Sequence, residues 1–185
     1  MVDTVRLARD VDGSFEQLVL EYRDQLYRFA LRLTGCPAEA EDAAQDAFVR
    51  AYSWLKSHAV DGTFQLRPWL YRITLNVVRN RLRRRQVPRA PLEAAGTQAS
   101  QDGPSPAASA ERSETRRELT AALAALPQRY REAVLLRHVE DLSYPEAAAV
   151  LARPVGTVKS DVHRGLAQLR AALQDQRIGG QVHEY

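Results

Sequence analysis

The stretch Leu142–Leu173, LSYPEAAAVLARPVGTVKSDVHRGLAQLRAAL, decides how this chain folds. Ser143 and Glu146 have capping-box spacing, and Pro145 falls in a first helical turn, where the amide it lacks would have no intrahelical partner. A short helix is therefore expected to about Leu151, then a turn at Ala152-Arg153 and a second helix from Pro154. In that second helix Val158, Val162, Leu166, Leu169 and Leu173 recur at helical spacing and form the expected buried ridge. Thr157, Lys159, Ser160, Asp161, His163 and Arg164 are left for the outer surface. A helix presented in this way can enter a major groove N-terminus first, as helix-turn-helix proteins do. A plain surface hairpin is the alternative, but packing alone does not require a short polar and basic face on the N-terminal half of the second helix.

Upstream, Pro127 is expected to start a helix through Tyr130, Val134 and Val139, and Leu119, Leu123 and Leu126 open the same domain. Before it, residues 87–113 are rich in Ala, Ser, Gln, Gly and Pro, with almost nothing large to bury. That composition predicts a flexible linker, spanning roughly 30 Å as a coil and about 95 Å fully extended.

The N-terminal half reads as three helices on one seam. Ser14 and Gln17 have capping-box spacing, and Phe15, Leu18, Val19, Tyr22, Leu26, Phe29, Ala30 and Leu33 follow at helical intervals. Thr34-Gly35 stops that helix and Pro37 restarts the chain, with Glu39, Glu41 and Asp42 near the positive end of the new dipole. Ala40, Ala44, Ala47, Phe48, Ala51 and Leu55 mark its inner stripe. After a loop over 57–66, Pro68 opens a third helix, with Trp69, Leu70, Ile73, Val77 and Leu82 inward and Arg72, Asn76, Arg79, Asn80 and Arg83 outward.

The expected organisation is thus all-α: a flexible N-terminus (1–11), a helical domain (12–86), the linker (87–113), a helix-turn-helix domain (114–175) and a flexible tail (176–185). The 185 residues are 45% hydrophobic and 26% charged, a globular composition. Net charge is only +3, yet arginines at 67, 72, 79, 81, 83, 84, 85 and 89 share one stretch without an intervening acid. A local positive patch of this kind suits phosphate. Cys36 is the single cysteine, which excludes an intrachain disulfide and a CxxC site. No apolar run reaches the roughly 18 residues of a membrane span, so a cytoplasmic chain without membrane insertion is expected.

These residues resemble a known family. Leu142-Ser143-Tyr144, the run from Pro154 to Ser160 and His163-Arg164 are similar to the C-terminal DNA-binding region of extracytoplasmic-function sigma factors, of the sigma-70 family. The run from Glu41 to Tyr52 resembles that family's core-polymerase-binding helix, and Trp69 to Arg84 its promoter-opening helix. The resemblance implies a two-domain sigma factor that brings core RNA polymerase to promoters, opens DNA and starts transcription. Asp42, Gln45, Asp46 and Arg50 would dock on the clamp coiled coil of the largest polymerase subunit, and the C-terminal domain on the flap of the second-largest. Arg72, Asn76, Arg79, Asn80, Arg83 and Arg84 would meet the minus-ten element, and the loop from His58 to Leu66 would hold a flipped nontemplate base. Thr157, Lys159, Ser160, Asp161, His163 and Arg164 would read the minus-thirty-five element. The resemblance also implies an anti-sigma factor as partner, and neither enzymatic activity, cofactor nor metal.

Two positions depart from the family pattern. Ala152 stands where a glycine is usual, so the turn must either avoid a left-handed conformation or accept strain. Asp161 stands where a basic residue is usual, and it is expected to accept a hydrogen bond from a cytosine amino group. Two other readings fit parts of the chain. An autonomous helix-turn-helix regulator would bind a two-fold operator without polymerase. A metal-dependent nuclease could use Glu41, Asp42 and Asp46, but no histidine is spaced to join them.

Overall fold

A computed structural model describes Leu7 and residues 10–86 and 108–180, and among these every regular element is helical. The chain divides into two compact units, residues 1–98 and 99–185. In the first, α1 is Val11–Thr34, α2 is Pro37–Ser57 and α3 is Leu66–Gln86, each packed against the other two. In the second, α4 is Ala108–Ala125, α5 is Gln128–Val134, a π-helical turn covers Leu135–Val139, α6 is Tyr144–Leu151 and α7 is Val155–Gly180.

The start of α1 differs from the capping box expected at Ser14. The helix begins a turn earlier because Asp10 caps it, its Oδ1 accepting from Gly13 N at 2.9 Å. Gly13 leaves room for this carboxylate, since a Cβ would lie 2.2 Å from Asp10 Oδ2 and force it to turn. Ser14 is consequently inside the helix and 3% exposed, its hydroxyl without a hydrogen-bond partner among the described residues. At the other end, Gly35 adopts φ 71° and its N–H donates to Leu31 O at 2.8 Å, after which Pro37 opens α2.

The small inner face of α2 (Ala40, Ala43, Ala44, Ala47 and Ala51) lets α1 approach with Leu18, Tyr22, Leu26, Phe29 and Leu33. The third helix closes this core more broadly than a single stripe would: Leu70, Tyr71, Thr74, Leu75, Val77 and Val78 are all buried, with Trp69, Ile73 and Leu82 half-buried. Phe29 meets Tyr71 edge-on at 5.1 Å, a geometry worth about 1 kcal/mol beyond burial.

The expected linker reached residue 113, whereas α4 already begins at Ala108. Ala, Glu and Arg dominate its sequence, so helix propensity extends the element. Residues 1–6, 8–9, 87–107 and 181–185, where the flexible N-terminus, the linker and the end of the tail were expected, lie outside the described residues. In the second unit Leu123, Leu126, Val134, Leu135, Leu136, Leu142, Val150, Leu151, Val158 and Val162 form the core. Where α7 crosses α5, Gly165 permits contact too close for a side chain: a Cβ there would lie 2.7 Å from Val134 Cγ2.

Candidate nucleic-acid interface

On α3, Arg72, Asn76, Arg83 and Arg84 are exposed and Arg79 and Asn80 half-buried, with Arg83 Nη2 donating to Asn80 Oδ1 at 3.2 Å. Arg83, Arg84 and Arg85 crowd the last turn, where the negative end of the helix dipole favours cations. Arg81 and Arg85 face α2 instead. Arg81 bonds Asp42 Oδ2 at 3.2 Å through Nη1 and Asp46 Oδ2 at 2.5 Å through Nη2, and Arg85 Nη1 reaches Glu39 Oε1 at 2.8 Å. Hydrogen bonding to Asp46, opposed in part by burial, holds the Arg81 guanidinium above its usual pKa. Asp42 is exposed and Asp46 about half exposed, and both are held from behind by α3. Gln45 and Arg50 are exposed on the same helix.

The loop between α2 and α3 carries an aromatic cluster that the hydrophobic pattern did not reveal. Trp54 stacks on His58 at 4.3 Å and meets Phe64 at 5.7 Å and Trp69 at 4.9 Å, and Phe64 contacts Trp69 edge-on. The loop backbone is bent by Asp61, whose Oδ1 accepts from both the hydroxyl and the N–H of Thr63. Those two bonds, the hydroxyl first, hold the Asp61 carboxyl below the usual carboxylate range. Trp54, Val60, Asp61, Thr63 and Phe64 line an open depression. Its chemistry, a flat apolar ring beside polar loop atoms, suits a planar heteroaromatic ligand. The sequence signal for it was the placement of Trp54 and His58 one helical turn apart at the helix end.

The helix-turn-helix forms as its sequence directs. Ser143 Oγ accepts from Glu146 N and Glu146 Oε2 accepts from Ser143 N at 2.7 Å, completing the capping box. Ala152 takes up the left-handed conformation, φ 53° and ψ 48°, so the turn accepts the strain. In return the N–H groups of Ala152 and Arg153 both reach Ala148 O, which satisfies a helix-end carbonyl. On α7, Lys159, Ser160, His163 and Arg164 are exposed and Thr157 is half-buried. Lys159 Nζ lies 5.6 Å from the centre of the Tyr144 ring, which Arg137 also flanks at 5.3 Å.

Asp161 departs from its expected place. It is 0% exposed, and its carboxylate bonds Arg129 at 2.6 Å and Arg153 at 3.2 Å. One residue before Val162 and three after Val158, it lies within the buried arc of α7, where two guanidinium groups neutralise it. A hydrogen bond from a cytosine amino group is therefore not available to it. Among the described residues there is no His, Cys, Asp and Glu grouping fit to hold a metal ion, and no helix is long and apolar enough to cross a membrane.

A family model described as sigma-70 region 2 matches residues 18–87, and one described as sigma-70 region 4 matches residues 116–169. The chain is similar to the ECF RNA polymerase sigma factor SigW of Bacillus subtilis, 36% identical across 88% of this chain and 90% of that one. It is 37% identical to SigE of Mycolicibacterium smegmatis across 86% of its own length but 62% of that protein's. It is 30% identical to the sigma-E factor of Escherichia coli K12 across 86% of both. Among solved structures, CnrH in complex with the cytosolic domain of CnrY superposes with a TM-score of 0.69 at 30% identity, covering 95% of this chain and 99% of that one. RpoE in complex with the anti-sigma factor NepR from Bartonella quintana also gives 0.69, at 27% identity over 86% and 96% of the two chains. With both regions matched in order and the identity running across most of its length, the chain belongs to the extracytoplasmic-function group of the sigma-70 family of RNA polymerase sigma factors.

Proposed function

We propose that the first unit docks core RNA polymerase and engages melted promoter DNA while the second reads the minus-thirty-five element. Asp42, Gln45, Asp46 and Arg50 offer a polar face to the clamp coiled coil of the largest subunit. Arg72, Asn76, Arg79, Asn80, Arg83 and Arg84 contact the strands at the minus-ten element, and the depression beside Trp54 receives a base turned out of the stack. Unstacking a base costs a few kcal/mol, which aromatic stacking of about 1 to 3 kcal/mol per base offsets. Thr157, Lys159, Ser160, His163 and Arg164 read the minus-thirty-five element, with the flap of the second-largest subunit holding the second unit. Its contribution is binding energy and geometry, delivered in the cytoplasm to an enzyme that performs the polymerisation.

The observation that carries this reading is the back-to-back use of two helices. The carboxylates of α2 are buttressed by Arg81 and Arg85, while Arg72, Arg83 and Arg84 of α3 are exposed to solvent, where phosphate can reach them. Solved relatives are held by CnrY and by the anti-sigma factor NepR, and an anti-sigma factor is the expected regulator here too. Run-off transcription with purified core polymerase on a promoter library tests the whole reading. Initiation from a defined subset of promoters is expected, and transcription no better than core enzyme alone would overturn it.

A further inference from the structure

We infer that Arg153, in the turn between α6 and α7, is a positioning residue for minus-thirty-five recognition, acting by bridging the buried carboxylates of Glu132 and Asp161. The inference rests on the function proposed above for α7. The two carboxylate side chains are each 1% exposed. Arg153 Nη2 reaches Glu132 Oε2 at 3.4 Å and its Nη1 reaches Asp161 Oδ2 at 3.2 Å, while Nη1 also donates to the carbonyl of Arg129 at 3.3 Å. Arg129 Nη2 bonds the second oxygen of Asp161 at 2.6 Å, and Gln128 Nε2 donates to Glu132 Oε1 at 2.9 Å. One guanidinium in the turn thus ties α5 to the inner face of α7.

A buried ion network is weak evidence for stability, because apolar residues of similar volume often serve as well. Its particular contribution is direction. The rest of the α7 inner face, Val158, Val162 and Gly165, is apolar and closely packed, but apolar contacts are not directional. Asp161 sits directly between Ser160 and Val162, so fixing its carboxylate fixes the roll of the side chains meant for base edges. With side-chain tips ~6 Å from the axis, a 10° roll displaces them by about 1 Å, enough to break a hydrogen bond. Arginine suits this task because its planar fork addresses two carboxylates in fixed geometry, which a lysine ammonium does not.

The test is run-off transcription with core polymerase, using the full chain and templates randomised separately in the minus-thirty-five and minus-ten elements. Arg153→Lys keeps the charge and loses the fork; Glu132→Gln/Arg153→Met/Asp161→Asn removes these three charges together and leaves no orphaned carboxylate, only the half-exposed Arg129 guanidinium, which solvent can reach. Minus-thirty-five discrimination is expected to fall about tenfold in the triple variant and severalfold in Arg153→Lys, with minus-ten preference unchanged in both. Thermal unfolding monitors folding, and Arg153→Lys keeps the question answerable should the triple variant not fold. Unchanged minus-thirty-five preference in folded Arg153→Lys, or an equal loss at both elements, overturns the inference and leaves the proposed function standing. A wild-type chain that directs no initiation overturns both.

Discussion

Arg81 on α3 bonds Asp46 on α2 at 2.5 Å, so a carboxylate proposed to face the polymerase is held from behind by the helix proposed to face DNA. Asp46 keeps about half its side chain exposed, and such a pair stabilises the fold by about 0 to 1 kcal/mol. Asp46→Arg is accordingly expected to abolish co-purification with core polymerase while the helical circular dichroism spectrum is retained. Arg81→Ala is expected to preserve co-purification, because Asp46 keeps its charge. Normal recovery of the Asp46→Arg protein with core enzyme would remove Asp46 from the interface.

Arg72, Arg83 and Arg84 are exposed on α3. If each neutralises one phosphate, the triple alanine variant should flatten the dependence of log affinity on log salt by about 2 to 3. Titrating the holoenzyme on promoter DNA from low to high salt measures this. An undiminished slope would show that this face does not meet the backbone.

Trp54 holds three aromatic neighbours around the loop depression. Trp54→Ala is expected to destabilise the first unit by about 2 kcal/mol and to suppress strand opening, read as permanganate reactivity of unpaired thymines. Binding of the second unit to duplex DNA should persist. Full permanganate reactivity in the folded variant would exclude a role for this cluster in capturing a base.

The helices were legible because their punctuation is local: Gly35 and Pro37 mark one junction, and Ser143, Pro145 and Glu146 another, within a few residues of sequence. Tertiary partners decided the rest. Asp161 looked outward because it is charged, yet it lies inside the buried arc of α7, and only the distant Arg129 and Arg153 make its burial tolerable. Ser14 looked like a cap, but Asp10 is an equally competent one, and Gly13 leaves room for its carboxylate. The cluster at Trp54 assembles across a helix, a loop and a second helix, which no single periodicity records.

Asp12 joins the ends of α1 and α2, accepting from Lys56 Nζ at 2.8 Å and Tyr52 Oη at 2.7 Å. The Lys56 bond first, and the Tyr52 bond second, hold its carboxyl below the ordinary value of 3.8, and Asp12 in turn raises Lys56 above 10.5. The aspartate contribution is therefore present above the ordinary aspartate value and lost as pH falls through the depressed folded value; that of Lys56 is present below its ordinary value and lost as pH rises through the elevated one. Asp12→Asn should lower the melting temperature at neutral pH, and the gap to wild type should close at strongly acidic pH. A gap that stays constant with pH would show that the clasp contributes nothing through its charge.

Ala152 occupies the left-handed region at φ 53°, as does Asp141 at φ 49°. For alanine this conformation costs about 1 to 2 kcal/mol, whereas aspartate tolerates it through local hydrogen bonding. Glycine removes the steric cost but adds about 0.4 to 1 kcal/mol of unfolded-state entropy. Ala152→Gly should therefore stabilise the second unit by about 0.5 to 1 kcal/mol, raising its unfolding temperature by a few degrees, and Asp141→Gly should be close to neutral. Ala152→Val should destabilise, since a β-branched side chain fits this region poorly. Because the turn leads directly into Arg153 and α7, relaxing it at Ala152 also tests whether the strain serves recognition. Run-off transcription from the preferred promoter is expected to be unchanged in Ala152→Gly; a more stable protein with weaker minus-thirty-five discrimination would show that the strained turn itself helps aim the helix.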